Sequence, residues 1–164
     1  MYPRTIYNTK QNCWLIKKPQ NIRFWRRNRA AIVVTNQNDT LFNGLSDEDM
    51  VVLEVIIGNV KIILASMYLD INRELEIDLL KIEAILLHAK GAGVLIAADN
   101  SRSVSWHDTL TSRRGRIVEE FLLSKQIHIL NESDYTTFQS RGARNIDITV
   151  VSNQLTLVEW EISE

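Results

Sequence analysis

The sequence predicts an α/β protein in which β-sheets pack face to face and helices lie outside them. Two long apolar strands are separated by only two residues, a third short segment is apolar at nearly every position, and two segments have the periodicity of core-facing helices. A strand that is covered on both faces is apolar throughout, and such strands combined with a hairpin and helices require packed layers. The predicted fold class is therefore an α/β sandwich.

The strands before the first helix are predicted from β-branched residues and turn residues. The segment "RAAIVVTN" (residues 29–36) has the composition of a buried strand that ends in an amide-rich turn. The segments "MVVLEVII" (residues 50–57) and "VKIILASMY" (residues 60–68) follow, separated by Gly58 and Asn59. A two-residue connection suits a tight hairpin, so these two strands are expected to pair antiparallel.

Two helices and a buried strand are predicted further along the chain. From Leu75 to Ala89 apolar residues recur at three- and four-residue steps, as a core-facing helix requires, and glycines then end it. The segment "VLIAAD" (residues 94–99) is typical of a strand covered on both faces. A second helix is predicted from about Gly115 to Lys125. Brief strands are predicted at "IHIL", "TTF", "NIDITVV" and "LTLVEWEI".

Length and composition indicate one globular domain with a real core. The chain has 164 residues, of which 45% are hydrophobic and 24% are charged. The single cysteine, Cys13, cannot form an internal disulfide, which favours a reducing intracellular compartment. No apolar run approaches the length of a transmembrane helix and the first residues lack the apolar core of a signal peptide. A membrane role is therefore not predicted.

The charge is distributed unevenly although the net value is −1. Eight basic residues and no acid precede Asp39, which gives +8 in that segment and −9 in the rest of the chain. Clustered Lys and Arg can mark a surface that faces nucleic acid. A solvated loop whose charges face acids elsewhere in the molecule gives the same pattern, so charge alone leaves both interpretations open.

An acid and an amide stand together at the end of the buried strand "VLIAAD". Asp99 and Asn100 occupy the presumed carboxyl end of the strand, where α/β folds commonly place reacting groups. A carboxylate there can move a proton or orient water, and a neighbouring amide can donate to an anionic oxygen. The alternative is that the Asp-Asn-Ser sequence only forms a turn and caps a following helix.

Two further strand ends carry polar residues that could face the same site. Asp147 interrupts the apolar segment "NIDITVV", and Asn145 would point to the same face of that strand. A buried acid needs a partner, so Asp147 either holds a catalytic donor or makes a structural hydrogen bond. Ser66 and Tyr68 share one face at the end of another strand, where Tyr68 suits either phosphate contact or half-buried packing.

Other candidate contacts lie in the loops. Arg114, in "SRRGR", could bind phosphate near a helix start, or face solvent. His107 is the only histidine close to the suspected site, and no zinc-ligand spacing accompanies it. Thr137 and Phe138 could touch a nucleic-acid backbone and stack on a sugar or base, or simply belong to a strand.

The order of these motifs carries more information than any one of them. The chain resembles the endonuclease domain of non-long-terminal-repeat (non-LTR) retrotransposons, a branch of the endonuclease/exonuclease/phosphatase superfamily that includes deoxyribonuclease I and apurinic/apyrimidinic endonucleases. The resemblance extends over nearly the whole chain. Its motifs, in order, are "RNRAAIVVTN", "ASMYLDIN", "LIAADNSRSVSWHD", "RRGRIVEEFLLSKQIHILNES", "TTFQSRGARNIDITVVSNQL" and "VEWEISE".

The resemblance implies a four-layer α/β sandwich, deoxyribonuclease I-like, whose site opens at one edge of two facing sheets. It implies Mg²⁺-dependent hydrolysis of DNA phosphodiester bonds, in which the metal neutralises charge on the phosphate. The nick would supply the 3′ hydroxyl that primes reverse transcription. The implied partners are the target-site DNA duplex and the reverse transcriptase domain of the same polyprotein, and the implied location is the nucleus.

The resemblance also assigns roles residue by residue. Asp99 matches the acid/base, Asn100 its phosphate-holding partner, and Tyr68 the tyrosine that approaches the phosphate. Asp147 matches the acid that orients a catalytic histidine. The residues that would contact the substrate, from the groove, the adjoining loop and the basic helix start, are Ser66, Ser103, Trp106, His107, Arg114, Thr137, Phe138 and Asn145.

The chain departs from the family pattern in two respects. Asp99 and Asn100 are adjacent, whereas the family usually separates them by one residue. The family's first strands with their asparagine, the metal-binding glutamate and the final Ser-Asp-His are not found, so residues 1–164 are expected to form one incomplete domain whose metal ligands are unknown. Removing members of a cooperating catalytic set costs orders of magnitude in rate, so weak or no activity is expected. The alternatives are an inactive nucleic-acid-binding remnant and a phosphatase of the same superfamily.

Overall fold

The computed structural model describes residues 6–9, 13–16, 23–26, 29–34, 39–41, 45–57, 59–131 and 145–155. Within these residues a 3₁₀ turn spans Val104–Trp106. The ten strands and two α-helices of this part of the chain are β1 (Ile6–Thr9), β2 (Cys13–Ile16), β3 (Arg23–Arg26), β4 (Ala31–Val34), β5 (Asp39–Leu41), β6 (Met50–Ile57), β7 (Val60–Tyr68), α1 (Leu75–Ala89), β8 (Gly93–Asp99), α2 (Arg113–Ser124), β9 (Ile127–Ile129) and β10 (Ile148–Ser152).

The described strands form two mixed sheets. One has four strands in the order β1-β2-β4-β3, and the other has six in the order β5-β6-β7-β8-β10-β9. Within them β2 and β4 pair parallel, as do β7 and β8, and the other pairs are antiparallel. The larger sheet therefore carries the strand ends at which the candidate residues lie.

The centre of the larger sheet follows from local sequence. Strands β6 and β7 pair antiparallel with Ile57 opposite Val60, which confirms the predicted hairpin. Parallel pairing of β7 with β8 requires a crossover, and α1 supplies it with the predicted bounds. The helix ends where Lys90 adopts a left-handed backbone conformation (φ 48°), as does Gly91 (φ 87°).

Side chains of β6, β7, β8 and β10 alternate between two buried clusters. The helix-side core contains Val52, Ile63, Ile96 and Val150 and packs against α1 and α2. The inter-sheet core lies on the opposite face, towards β4, and is built from Ala30, Ile32, Val51, Leu53, Val55, Leu64, Leu95, Ala97 and Val151. Because both faces of these strands are covered, the strands are apolar at nearly every position.

Some element bounds differ from those expected. Helix α2 begins at Arg113, two residues before the predicted start, because Ser112 caps it by accepting a hydrogen bond from the Gly115 N–H (3.0 Å). Strand β10 begins at Ile148, so the residues 145–147 precede it and do not belong to it. The predicted strand "TTF" and residues 156–162 of "LTLVEWEI" lie outside the described residues.

In the basic N-terminal segment, β4 lies within the predicted strand "RAAIVVTN", whereas the other described strands were not predicted from the sequence. Strands β1, β2 and β3 lie there and, with β4, make up the smaller sheet, while the unpredicted β5 forms one edge of the larger sheet. The described elements thus provide two facing sheets and one outer helical layer of the predicted sandwich. Within the described residues, no helix has both the length and the apolar character needed to cross a bilayer.

Candidate active site at one edge of the six-stranded sheet

Three of the predicted catalytic residues lie side by side across neighbouring strands. Tyr68, the last residue of β7, is directly opposite Asp99, the last residue of β8. The antiparallel register of β8 and β10 ends with Ile148 opposite Ala98, and its continuation places Asp147 opposite Asp99. Neighbouring strands are about 4.8 Å apart, so Tyr68, Asp99 and Asp147 form a short line, here called the edge row.

The edge row belongs to the face that looks towards the smaller sheet. Side chains alternate along a strand, and Asp99 follows Leu95 and Ala97 of the inter-sheet core in that alternation. Tyr68 and Asp147 are half-buried, and Asp99 is 9% exposed. The row therefore lies at the end of the strand faces that build the inter-sheet core.

The backbone turns immediately after the row. Asn100 has a left-handed conformation (φ 67°), which asparagine adopts more readily than most residues. Its side chain is half-buried, and its Nδ2 is buried without a hydrogen-bond partner among the described residues. The adjacency of Asp99 and Asn100 is thus accommodated by a turn, which leaves an amide donor beside the row.

Asn145 is tied to the loop that follows β8. Its backbone N–H donates to Oδ2 of Asp108 (3.2 Å) and its Nδ2 donates to the carbonyl oxygen of His107 (2.9 Å). Asp108 in turn accepts two hydrogen bonds from Arg102, from Nε (3.0 Å) and Nη2 (2.8 Å). We call Arg102, Asp108 and Asn145 the loop clamp, because they hold the loop after β8 against the chain that leads to Asp147.

The electrostatics of the loop clamp favour the charged form of its acid. Burial of Asp108 opposes ionisation, but the hydrogen bonds and charge of Arg102 and the Leu110 N–H outweigh it, and the pKa of Asp108 is lowered. The same pairing raises the pKa of Arg102. Sequence reasoning missed both residues, and the only signal was an acid beside the suspected loop histidine.

Several residues that were predicted to contact the substrate are buried. Ser66, Ser103 and Trp106 are fully buried, so they present no surface to a substrate in this structure. The Ser103 hydroxyl accepts from the Ser105 N–H (3.0 Å) and donates to Glu119, and Trp106 Nε1 donates to the Ser101 carbonyl (3.2 Å). These contacts shape the loop from within.

The remaining predicted contacts divide into three cases. His107 is exposed in the same loop, with a left-handed backbone (φ 64°). Arg114 is half-buried: its Nη1 donates to the Arg73 carbonyl (3.1 Å), and its Nε and Nη2 are buried without a partner in the described part of the chain. Thr137 and Phe138 lie outside the described residues.

A cation that sequence reasoning did not assign to the site lies beside Tyr68. The Arg29 guanidinium is 4.3 Å from the centre of the Tyr68 ring. Its Nε and Nη2 donate to the two carboxylate oxygens of Asp49 (2.6 and 2.8 Å), and Nη2 also donates to Asp70 (2.9 Å). The hydrogen bonds that Arg29 donates to Asp49 and Asp70 raise the pKa of Arg29. In the sequence this arginine belongs to the basic segment and to the motif "RNRAAIVVTN", neither of which predicts a role at the site for it.

Comparison with a protein-family model identifies the family of this chain. The model for "Endonuclease-reverse transcriptase" matches residues 62–164, a range that contains the whole edge row. The chain belongs to the endonuclease-reverse transcriptase family. No curated protein sequence matches this family member.

A solved structure shares the fold of this endonuclease-reverse transcriptase family member. It is the "Endonuclease domain of TRAS1, a telomere-specific non-LTR retrotransposon", with a TM-score of 0.75 and 23% sequence identity. The alignment covers 80% of this chain and 65% of the TRAS1 domain. The likeness confirms the deoxyribonuclease I-like sandwich predicted from the sequence, and the chain spans about two thirds of that domain.

The described side chains of this family member do not complete a metal site. In the part of the chain that the structure describes, no three His, Cys, Asp or Glu side chains are arranged so that they could hold a metal ion. Asp99 and Asp147 bring two carboxylates to the edge row, and carboxylate oxygens are the ligand type that Mg²⁺ prefers. Two such groups fall short of a full set of protein ligands.

Proposed function

We propose that the chain is the endonuclease domain of a non-LTR retrotransposon and hydrolyses a phosphodiester bond in DNA. The observation that carries the proposal is the edge row: Tyr68 and Asp99 end two adjacent strands, Asp147 directly precedes the third, and all three belong to the face towards the smaller sheet. Family membership supports endonuclease chemistry for a site of this composition.

Each residue of the row has a role that its position suits. Asp99 has little contact with solvent and acts as the acid/base that exchanges a proton with the attacking water or the leaving oxygen. Asp147, next to it, orients a proton-carrying donor. Tyr68 approaches the phosphate, and the buried Nδ2 of Asn100 offers a hydrogen bond to a phosphate oxygen.

Mg²⁺ is the proposed cofactor because the resemblance implies it. When bound, it would neutralise the charge that develops on the phosphate. Of the described residues, Asp99 and Asp147 are the acids of the edge row that would hold it. Its further ligands are not among the groups that the described residues bring together.

The wider role follows from the same proposal. A nick in a target-site duplex would leave a 3′ hydroxyl that primes reverse transcription, and a reverse transcriptase domain of the same polyprotein would use it. That role places the protein in the nucleus.

Nicking of supercoiled plasmid tests the proposal directly. We expect slow, Mg²⁺-dependent conversion to open circles by the unaltered chain, and a decrease of at least about 100-fold in Asp99→Asn, because a general acid/base contributes on the order of 10²–10⁴ in rate. Asp147→Asn should also lose activity. Glu120→Gln, which also removes one negative charge but lies exposed on α2, is the charge-matched control and should nick normally. Nicking that survives in Asp99→Asn would exclude this site as its source.

The uneven charge favours a second candidate, a nucleic-acid-binding module without catalysis. The segment before Asp39 carries +8, and the start of α2 adds Arg113, Arg114 and Arg116. Such a module would bind labelled duplex DNA with an affinity that falls steeply as salt rises. Salt-sensitive binding together with no nicking at any Mg²⁺ concentration would select this candidate over the enzyme.

A further inference from the structure

The contact between Arg29 and Tyr68 joins the two sheets at the edge row. Arg29 immediately precedes the inter-sheet core residue Ala30 and strand β4 of the smaller sheet, and Tyr68 ends β7 of the larger one. The guanidinium lies over the tyrosine ring at 4.3 Å, within the range at which a cation is attracted to an aromatic face.

Asp49 fixes both partners of this contact. Its carboxylate is 3% exposed and receives Arg29 through two hydrogen bonds, while its carbonyl oxygen accepts from the Tyr68 N–H (2.8 Å). Asp70, two residues after Tyr68, holds Arg29 from another side. The guanidinium is thus anchored before any substrate binds, and little side-chain freedom remains to be lost.

A second arginine completes the charge balance around Asp49. Arg73 Nη1 lies 3.3 Å from Oδ2 of Asp49, and Arg73 also pairs with the buried Asp78. Asp49 is therefore shared between two arginines, and its charge does not belong to Arg29 alone. The Arg29 side chain keeps 38% of its surface exposed, so the cation stays in contact with solvent beside the Tyr68 ring.

We propose that Arg29 is a positioning residue for Tyr68, holding the ring in the orientation in which it meets a phosphate group. The inference rests on the proposed function, because contact between Tyr68 and a phosphate is part of that function. Arginine suits this role better than lysine, since a planar guanidinium can make a two-pronged bond to Asp49 and stack on the ring at the same time.

The position of the Tyr68 ring can be tested by NMR, without an activity assay. In protein labelled with ¹³C-tyrosine, Tyr68→Phe identifies the Tyr68 ring resonances. We expect these resonances to move clearly in Arg29→Gln, to move less in Arg29→Lys, which keeps the cation, and to stay in place in Lys61→Gln. Unchanged ring resonances in Arg29→Gln would overturn the proposal. If Arg29→Gln does not fold, the Arg29→Lys spectrum is used in its place. Shifted Tyr68 ring resonances in Arg29→Lys then support the proposal, and unchanged resonances overturn it.

A double-mutant cycle separates positioning from direct phosphate contact. Arg29→Gln should weaken binding of a short labelled DNA duplex roughly threefold to tenfold, corresponding to one cation–ring contact. In a Tyr68→Leu background the same change should alter affinity by less than about twofold, since the two effects are coupled. An equal loss in both backgrounds would mean that Arg29 acts on DNA by itself, which overturns the positioning role.

The two measurements distinguish failure of this inference from failure of the proposed function. A chain that neither nicks nor binds DNA but shows the expected ring shifts supports the positioning of Tyr68 and rejects the endonuclease. If the chain nicks DNA and its Tyr68 ring resonances do not change in Arg29→Gln, the endonuclease function is supported and the positioning role of Arg29 is rejected.

Discussion

At the scale of single residues, buried polar side chains set the geometry of the loops around the edge row. Asp108 is only 5% exposed. Its carboxylate accepts hydrogen bonds from the Arg102 guanidinium, the Leu110 N–H and the Asn145 N–H. A buried charge is tolerated only when it is paired and hydrogen-bonded, so each of these contacts restricts where the loop can lie. The position of the chain before Asp147 depends on them.

Replacing Asp108 by asparagine should therefore destabilise the protein. Breaking a buried pair leaves the Arg102 charge uncompensated, and because Arg102 is partly exposed we expect a loss of about 2 to 3 kcal/mol in the free energy of unfolding at pH 7. Urea denaturation measures it. Glu120→Gln, an exposed acid of α2, is the control and should lie within about 0.5 kcal/mol of the unaltered chain.

The same carboxyl predicts a pH dependence. Because the pKa of Asp108 is lowered in the folded protein, its contribution is fully present above the unfolded pKa of about 3.9 and is lost as pH falls through the folded pKa. The pKa values of Asp47 and Asp70 are lowered as well. Stability measured from pH 7 to pH 2 should fall below about pH 4, and less steeply in Asp108→Asn. Identical slopes in both proteins would contradict the assignment.

At the scale of elements, the start of α2 is fixed by a close approach to the loop after β8. Ser112 donates from its hydroxyl to the Arg102 carbonyl (3.2 Å) and caps the helix through Gly115. The Arg102 carbonyl oxygen would lie only 1.9 Å from a β-carbon on Gly115. No side chain fits there unless the helix or the loop moves.

Gly115→Ala should consequently cost more than a normal helix substitution. Alanine favours helices over glycine by about 1 kcal/mol, but the clash is with backbone, so we expect a net loss of about 2 kcal/mol or more in the free energy of unfolding. Thermal and urea unfolding would detect it. Ser124→Ala, at the other end of α2, should change stability by less than about 1 kcal/mol. A stabilised Gly115→Ala protein would show that helix and loop are not in contact.

At the scale of the whole molecule, the larger sheet is stabilised from both faces. The helix-side core and the inter-sheet core share the strands β6, β7, β8 and β10. The edge row stands at the end of these strands, so its spacing depends on how the two sheets pack. Loss of inter-sheet packing should therefore affect stability and site together.

Leu53→Ala tests this dependence. Leu53 is 0% exposed in the inter-sheet core, and truncation of a buried leucine costs about 2 to 5 kcal/mol. Leu87, which is 74% exposed on α1, is the matched control, and Leu87→Ala should change the free energy of unfolding by less than about 0.5 kcal/mol. Equal effects of the two substitutions would contradict the described packing.

Local sequence was enough to predict the central elements. The bounds of α1, β6 and β7 agree with the periodicity and the hairpin, because apolar spacing and turn length are properties of neighbouring residues. The short strands β1, β2 and β3 have four residues each and were not predicted. Short strands carry little periodic signal, and their pairing depends on partners elsewhere in the chain.

By itself the sequence determined the fold class, the ends of two strands at Tyr68 and Asp99, and the family resemblance that the family model then confirmed. It placed Asp147 inside a strand, whereas β10 begins one residue later, at Ile148. Only the tertiary structure decided that Ser103 and Trp106 are buried and that Asp108 holds Asn145. It also decided that Arg29 lies over Tyr68. These contacts join residues that are far apart in the chain, as in the 41 positions between Arg29 and Asp70. Contacts of that kind depend on strand register and sheet packing, which no local pattern encodes.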